Sequence, residues 1–297
     1  MEAGSIVERP DGALARDSDR TALRATLHGL WAGVAPAWAR HADYADARGA
    51  PVTAAMLEGA RPQPGERVLE LACGPGGAGL AAAHIVGPAG EVILSDVAAE
   101  MTAIAAARAG ALGLAHVRSL ELDIEEIAQP DASYDVVLCR EGLMFVTDHA
   151  AGAREIARVL RPGGRAAIAV WAERERNPWL GLVFDAVSEQ VGRPVPPPGV
   201  PTPFSLGDTE RLRGLLTGAG LQDVRIDELP TPLHAGSFEE WWTRTSALAG
   251  PLAKILEGLP DQARQALVER LREAVAPYTT PAGVELPGVT LIASARR

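Results

Sequence analysis

The sequence predicts an α/β fold: a mostly parallel, seven-stranded sheet with helices on both faces. Three observations carry this. From residue 66 onward, short apolar runs alternate with helical segments of about 10–15 residues, the pattern of parallel strands joined by crossover helices. The first run passes directly into a glycine-rich turn, residues 74–79 (GPGGAG), and then into an alanine-rich helix. The chain closes on a further apolar run, GVTLIASARR, separated from its predecessor by a helical stretch, which predicts an antiparallel C-terminal edge strand.

The elements follow in order. The first twenty residues are polar and aperiodic, are expected to be loose, and contain no apolar segment of a secretory signal. Residues 1–60 form an N-terminal helical cap segment. Within it Leu23, Leu27, Leu30 and Trp31 recur at helical spacing, Pro36 interrupts, and Pro51 opens PVTAAMLEGA as a first-turn proline. Residues 61–175 form the core. Its strands are ERVLELAC, EVILSDV, VRSLELDI, YDVVLCRE and GRAAIAVWA. Helices separate most of them, and one ends at Gly87-Pro88 and another at the stop signal Arg161-Pro162-Gly163-Gly164. Residues 176–205 are expected to be a proline-rich lid loop, since proline fixes φ and removes donors. The core continues over 206–237 with LGDTERLRGLLTGAG as helix and LQDVRIDELP as strand. A helical insert covers 238–286, and 287–297 complete the sheet.

Composition excludes several function classes. Of 297 residues, 47% are hydrophobic and 22% charged, an ordinary globular balance. The net charge of −10 comes without a basic stripe, which argues against a nucleic-acid partner. No run of about 18 apolar residues exists to span a membrane. The two cysteines, Cys73 and Cys139, lack metal-ligand spacing, so no metal is expected. They read as small buried hydrophobes in a reducing, cytoplasmic compartment, with a redox pair as the alternative because both end neighbouring strands.

The chemistry is concentrated at the turn. Gly74, Gly76 and Gly79 fit G-x-G-x-x-G between a strand and a helix, where missing Cβ atoms let backbone N–H groups approach a ligand. Asp96 ends the second strand about 20 residues on, placed to accept ribose hydroxyl protons. This spacing indicates an adenosine-containing cofactor and leaves a nicotinamide dinucleotide and S-adenosylmethionine (SAM) open. Glu70, inside the first strand, would repel a pyrophosphate and attract a sulfonium with its ammonium group. Asp123, followed by Ile124 at the end of the third strand, can accept from an adenine amino group; the other reading of Asp123 is a helix N-cap. YDVVLCREGLMFV and VLRPGGR then follow at matching intervals.

On these motifs the chain resembles class I SAM-dependent methyltransferases, Rossmann-like enzymes, and among them the small-molecule ubiquinone/menaquinone and bacterial natural-product (secondary metabolism) type. The resemblance covers residues 60–175 and is weaker over 206–237 and 287–297. It implies that Glu70, Ala72, Gly74 and Gly76 line the methionine part of SAM. Asp96 holds the ribose, Val97 and Met101 lie against adenine or ribose, and Asp123 and Ile124 meet adenine. Arg140 and Glu141 face the methionine end and the acceptor; the other reading of Arg140 is a structural ion pair with Glu141 or Asp148. Ala72 departs from the glycine usual in the family.

The expected activity is methyl transfer to a small aromatic or hydrophobic acceptor at O, N or C, with positioning supplying most of the catalysis. Candidates for a general base are Glu141, His28 and His149, with His41 and His234 beside them. Trp31, Trp38, Trp179, Trp241 and Trp242, five of the six tryptophans, fall in the segments available to wall the acceptor pocket. Alternatives are a methyltransferase-like scaffold that does not methylate, such as a cyclase or a binding partner, and an NAD(P)-dependent oxidoreductase. A homodimer is compatible with the sequence.

Overall fold

A computed structural model describes residues 17–297. In chain order, α1 (Asp17–Arg40) and α2 (Ala42–Ala60) precede β1 (Arg67–Leu71), α3 (Gly77–Val86), β2 (Glu91–Asp96), α4 (Ala99–Ala111) and β3 (Val117–Glu121). Next come β4 (Tyr134–Arg140), α5 (His149–Val159), β5 (Leu160–Trp171), α6 (Pro178–Val191), α7 (Thr209–Gly218), β6 (Gln222–Pro230) and β7 (Leu233–Ala235). The chain ends with α8 (Phe238–Leu248), α9 (Pro251–Glu257), α10 (Asp261–Val275), β8 (Thr279–Thr280), β9 (Gly283–Leu286) and β10 (Val289–Arg296).

The seven-stranded sheet has the order β3-β2-β1-β4-β5-β10-β6. β1 to β5 pair in parallel. β10 runs antiparallel to β5 and to β6, so the closing strand is the inner member of an antiparallel pair at one edge. β1, β2 and β4 are buried along nearly their whole length, as their continuous apolar runs require of strands covered on both faces. One face packs on α2, α3 and α4 through Met56, Leu80 and Ala105; the other packs on α5 and α7 through Ile156, Leu212 and Leu216. Strand order reverses between β1 and β4. Open α/β sheets bind ligands in the crevice outside the carboxyl ends at that point.

Four expectations are revised. Of the first twenty residues, 1–16 lie outside the described residues, whereas Asp17–Arg20 begin α1. That helix runs through Pro36, and α2 carries Pro51 in its interior rather than in its first turn. Proline there removes one backbone hydrogen bond, and burial of Val52, Met56 and Ala60 holds the helix across the gap. The 176–205 segment is not all loop. Trp179, Val183, Phe184 and Val187 recur at helical spacing and bury α6 in the cap, leaving only the prolines after Val191 irregular. The 238–286 insert is not all helix either, since β8 and β9 join β7 in a three-stranded sheet. Among the described residues, no helix is long and apolar enough to cross a membrane, and no group of three or more His, Cys, Asp or Glu is placed to hold a metal ion.

Candidate active site

The turn after β1 bends back on itself, with positive φ at Ala72 (51°), Gly74 (50°) and Gly76 (93°). Ala72 takes this conformation with a Cβ, a strained position that costs on the order of 1–3 kcal/mol. The three motif glycines do different work. A Cβ at Gly79 would overlap Leu94 and the Glu70 carboxylate, and one at Gly76 would press on Leu94 and Ala105 at 3.1 and 3.2 Å. These two seat α3 against the sheet. A Cβ at Gly74 would meet nothing within 4 Å, and this glycine borders an open cavity. Gly79→Ala is therefore expected to lower stability by about 1–3 kcal/mol through overpacking, measured by urea denaturation. Gly74→Ala meets no neighbour, but it forces a side chain into the left-handed region at φ 50°, which costs about 1–2 kcal/mol of stability, and it should also reduce ligand binding in the cavity.

Asp96 pins this turn. Its Oδ2 accepts the Gly74 N–H at 2.9 Å and its Oδ1 the Ala98 N–H at 3.0 Å. Burial raises its pKa against the pull of these backbone donors. Glu70 lies behind the turn, 1% exposed, where its Oε2 accepts the Gly79 N–H at 2.8 Å. Neither Glu70 nor Gly76 borders the cavity, so both shape the turn from behind instead of lining it. Burial pushes the Glu70 carboxyl from 4.5 up to about 7, opposed by Arg140 and by the Gly79 and Ala78 N–H groups.

That shift has a stability consequence. Between these two pH values the folded chain holds a proton that the unfolded chain releases. Folding stability therefore falls as pH rises through the window, by about 3 kcal/mol in total at roughly 1.4 kcal/mol per pH unit. Glu70→Gln, neutral throughout, should gain melting temperature over the wild type from pH 5 to pH 8. A constant difference across that range would contradict the assignment.

The cavity has a volume of about 460 Å³. It is bordered by Ala72, Gly74, Pro75, Asp96 and Asp123, with Val97, Met101 and Ile124 beside them. Its lining is also aromatic. Trp31, Phe145, Trp171 and Trp179 follow one another edge-to-face at centroid distances of 5.1, 6.4 and 4.8 Å. Trp31, Phe145 and Trp171 border the cavity, together with Trp38, Phe184 and Pro196. Helix α1, helix α9 and the proline segment lie over it. A second cavity of about 90 Å³ adjoins the first and shares Trp38, Arg140, Glu141 and Trp171 with it.

Helix α1 reaches directly into the site. Arg24 Nε donates to Asp123 Oδ2 at 2.5 Å, and His28 Nε2 lies 3.0 Å from the same oxygen. Asp123 Oδ1 accepts the Glu125 N–H at 2.8 Å in a turn; no helix follows to be capped. Arg140 pairs with neither Glu141 nor Asp148. Its Nη1 donates to Thr53 Oγ1 at 2.7 Å and its Nη2 lies 3.9 Å from Asp46, both on α2. Asp148 instead caps α5 and pairs with Arg20 at 3.2 Å.

The base candidates separate. His149 does not border the cavity; its Nε2 is 3.3 Å from the Met144 carbonyl, and burial lowers its pKa. His41 and His234 also lie away from the cavity. His28 borders it but is engaged by Asp123. Glu141 borders both cavities at φ 58°, fixed by its N–H bond to Ala169 O at 2.8 Å. Of the tryptophan candidates, Trp31 and Trp38 line the larger cavity, and Trp179 lines only the smaller. Trp241, 1% exposed, is packed against Phe238 inside the cap and lines neither. Phe145 and Trp171 are not among the sequence candidates, although Trp171 ends a predicted strand, where site residues of this architecture gather. Both cysteines are free and buried, and burial pushes Cys139 up to about 12, which makes it a poor thiolate.

Residues 68–164 match the methyltransferase domain family. The ubiquinone/menaquinone biosynthesis C-methyltransferase UbiE of Ectopseudomonas mendocina is 38% identical over 133 residues, 44% of this chain and 51% of that protein. The chain thus spans about half the length of the curated relatives it matches. The crystal structure of the YcgJ protein from Bacillus subtilis superposes with a TM-score of 0.58 at 21% identity, covering 82% of this chain and 97% of that one. The [4+2]-cyclase SpnF superposes at 0.52 and 21% identity, covering 83% and 80%. These structures share the fold.

Proposed function

We propose that this chain, whose core belongs to the class I SAM-dependent methyltransferases, transfers a methyl group to a small apolar or aromatic acceptor. One observation carries the reading: a single cavity is bordered both by the glycine turn, Asp96 and Asp123 and by a row of aromatic side chains.

The residues present fit the cofactor. Gly74 leaves open the space that a side chain would fill, and carboxylates outside the turn suit hydroxyl and amino donors. Asp96 would hold the ribose, Asp123 and Ile124 the adenine, Val97 and Met101 its flank, and Ala72 and Gly74 the methionine portion. Arg140, held by Thr53 and Asp46, borders the same cavity, and Glu70 supports the turn from behind. When bound, SAM supplies an electrophilic methyl group on a sulfonium. The chain's own residues exclude water with α1 and the proline segment, and they hold the acceptor along the row of Trp31, Phe145 and Trp171. Such alignment can contribute about 7–11 kcal/mol. Glu141 accepts a proton from an acceptor hydroxyl or N–H. Four carboxylates border the cavity: Asp96 holds backbone N–H groups, Asp123 holds Arg24 and Glu125 holds Thr147. Glu141 alone among them is without a hydrogen bond or ion pair of its carboxylate among the described residues.

The methyltransferase domain match spans residues 68–164, and Trp31, Trp38 and Trp171 of the cavity lie outside it. The acceptor here is therefore not carried over from that of the C-methyltransferase relatives. The test is incubation with SAM and a panel of phenols, hydroquinones and aryl amines, followed by mass spectrometry. Formation of S-adenosylhomocysteine together with a methylated acceptor supports the reading. Tight SAM binding without turnover on any acceptor would favour a scaffold that uses the fold for another reaction, as the cyclase does.

A further inference from the structure

The small cavity beside the aromatic wall is bordered by three arginines, and only one of them is uncommitted. Arg140 is held by Thr53 and Asp46. Arg244 pairs with Glu240 at 2.6 Å and lies over the Tyr44 ring at 4.3 Å. Arg48, on α2, stacks its guanidinium 4.1 Å from the centroid of the Trp179 ring. Among the described residues it has no hydrogen bond and no ion pair, and its Nε is buried without a partner. An unpaired guanidinium with five donors is costly in a partly buried site unless an acceptor arrives. The same cavity is bordered by Tyr44 and Thr245, whose hydroxyls have no partner among the described residues. Glu141 is the one carboxylate that borders it, at the junction with the larger cavity.

We infer that this annex takes an anionic group of the acceptor, a carboxylate or a phosphate, seated on Arg48 while the apolar body of the molecule lies along the aromatic wall. The inference rests on the reading of the large cavity as the acceptor site. It narrows that reading from apolar molecules in general to amphiphiles with an apolar body and an acidic end. Stacking on Trp179 fixes the guanidinium plane, so its edge is presented for the paired N–H bonds that carboxylates and phosphates accept. Glu141, at the junction, borders both the acceptor cavity and the annex.

The experiment uses the full chain saturated with S-adenosylhomocysteine and titrates three probes by calorimetry: 4-phenylbutanoate, its neutral amide and 4-phenylbutyl phosphate. The acid or the phosphate ester should bind at least about tenfold more tightly than the amide, and whichever is stronger identifies the anion. Arg48→Gln should abolish that preference without weakening the amide, and Arg48→Lys should retain part of it. Independently of any variant, the preference in the wild type should shrink as sodium chloride is raised. Equal binding of acid and amide, or a preference that survives both Arg48→Gln and high salt, would overturn the annex while leaving the acceptor cavity standing. Failure of all three probes to bind would overturn the acceptor-cavity reading itself, and the annex with it.

Discussion

Asp96→Ala should lower SAM affinity about hundredfold, close to 2.7 kcal/mol. Two losses combine. The first is the acceptor for the ribose hydroxyls. The second is the anchoring of the turn, because Gly74 and Ala98 both donate backbone N–H groups to this carboxylate. A buried donor left without a partner costs about 1–3 kcal/mol, and here that cost falls on the backbone that must face the cofactor. Asp96→Asn keeps the shape and one acceptor oxygen, so its loss should be intermediate. Titration calorimetry on variants whose melting shows them folded measures both. An Asp96→Ala protein with wild-type affinity would remove Asp96 from the site.

Glu141→Gln should lower kcat by about 10²–10⁴, the range of a general base, with little change in SAM affinity. The left-handed backbone at Glu141 and its bond to Ala169 O fix where the side chain starts, and glutamine preserves both. The effect should depend on the acceptor. One that is already deprotonated at the assay pH should be methylated by the variant at nearly the wild-type rate. Equal losses on ionised and neutral acceptors would assign Glu141 to positioning instead of proton acceptance.

Much of this architecture is legible in the sequence because its inner strands β1, β2 and β4 are nearly continuous apolar runs and its turns carry glycine at positions that demand it. Asp96, Asp123 and Ile124 stand out from their places at strand ends, Val97 and Met101 come from the family resemblance, and all five border the cavity. Helix propensity misleads at Pro36 and Pro51, where tertiary packing overrides a local penalty. It also misleads at 178–191, where the nearby prolines mask an amphipathic helix. Side-chain direction is not legible. Glu70 and Gly76 sit in the motif yet face away from the cavity, while Trp241 is packed into the cap. The long-range partners of Asp123 and Arg140, supplied by α1 and α2, have no local signal at all. Arg48 gives none either, since its significance comes from what is missing around it.

The most direct test of the central claim is a parallel titration of the wild-type chain with S-adenosylhomocysteine and with NADH. The glycine turn alone suits both, whereas the cavity, with its carboxylates and aromatic wall, suits the first. Saturable binding of one equivalent of S-adenosylhomocysteine, with no heat from NADH, is the predicted result. Tight binding of NADH with none of S-adenosylhomocysteine would contradict it.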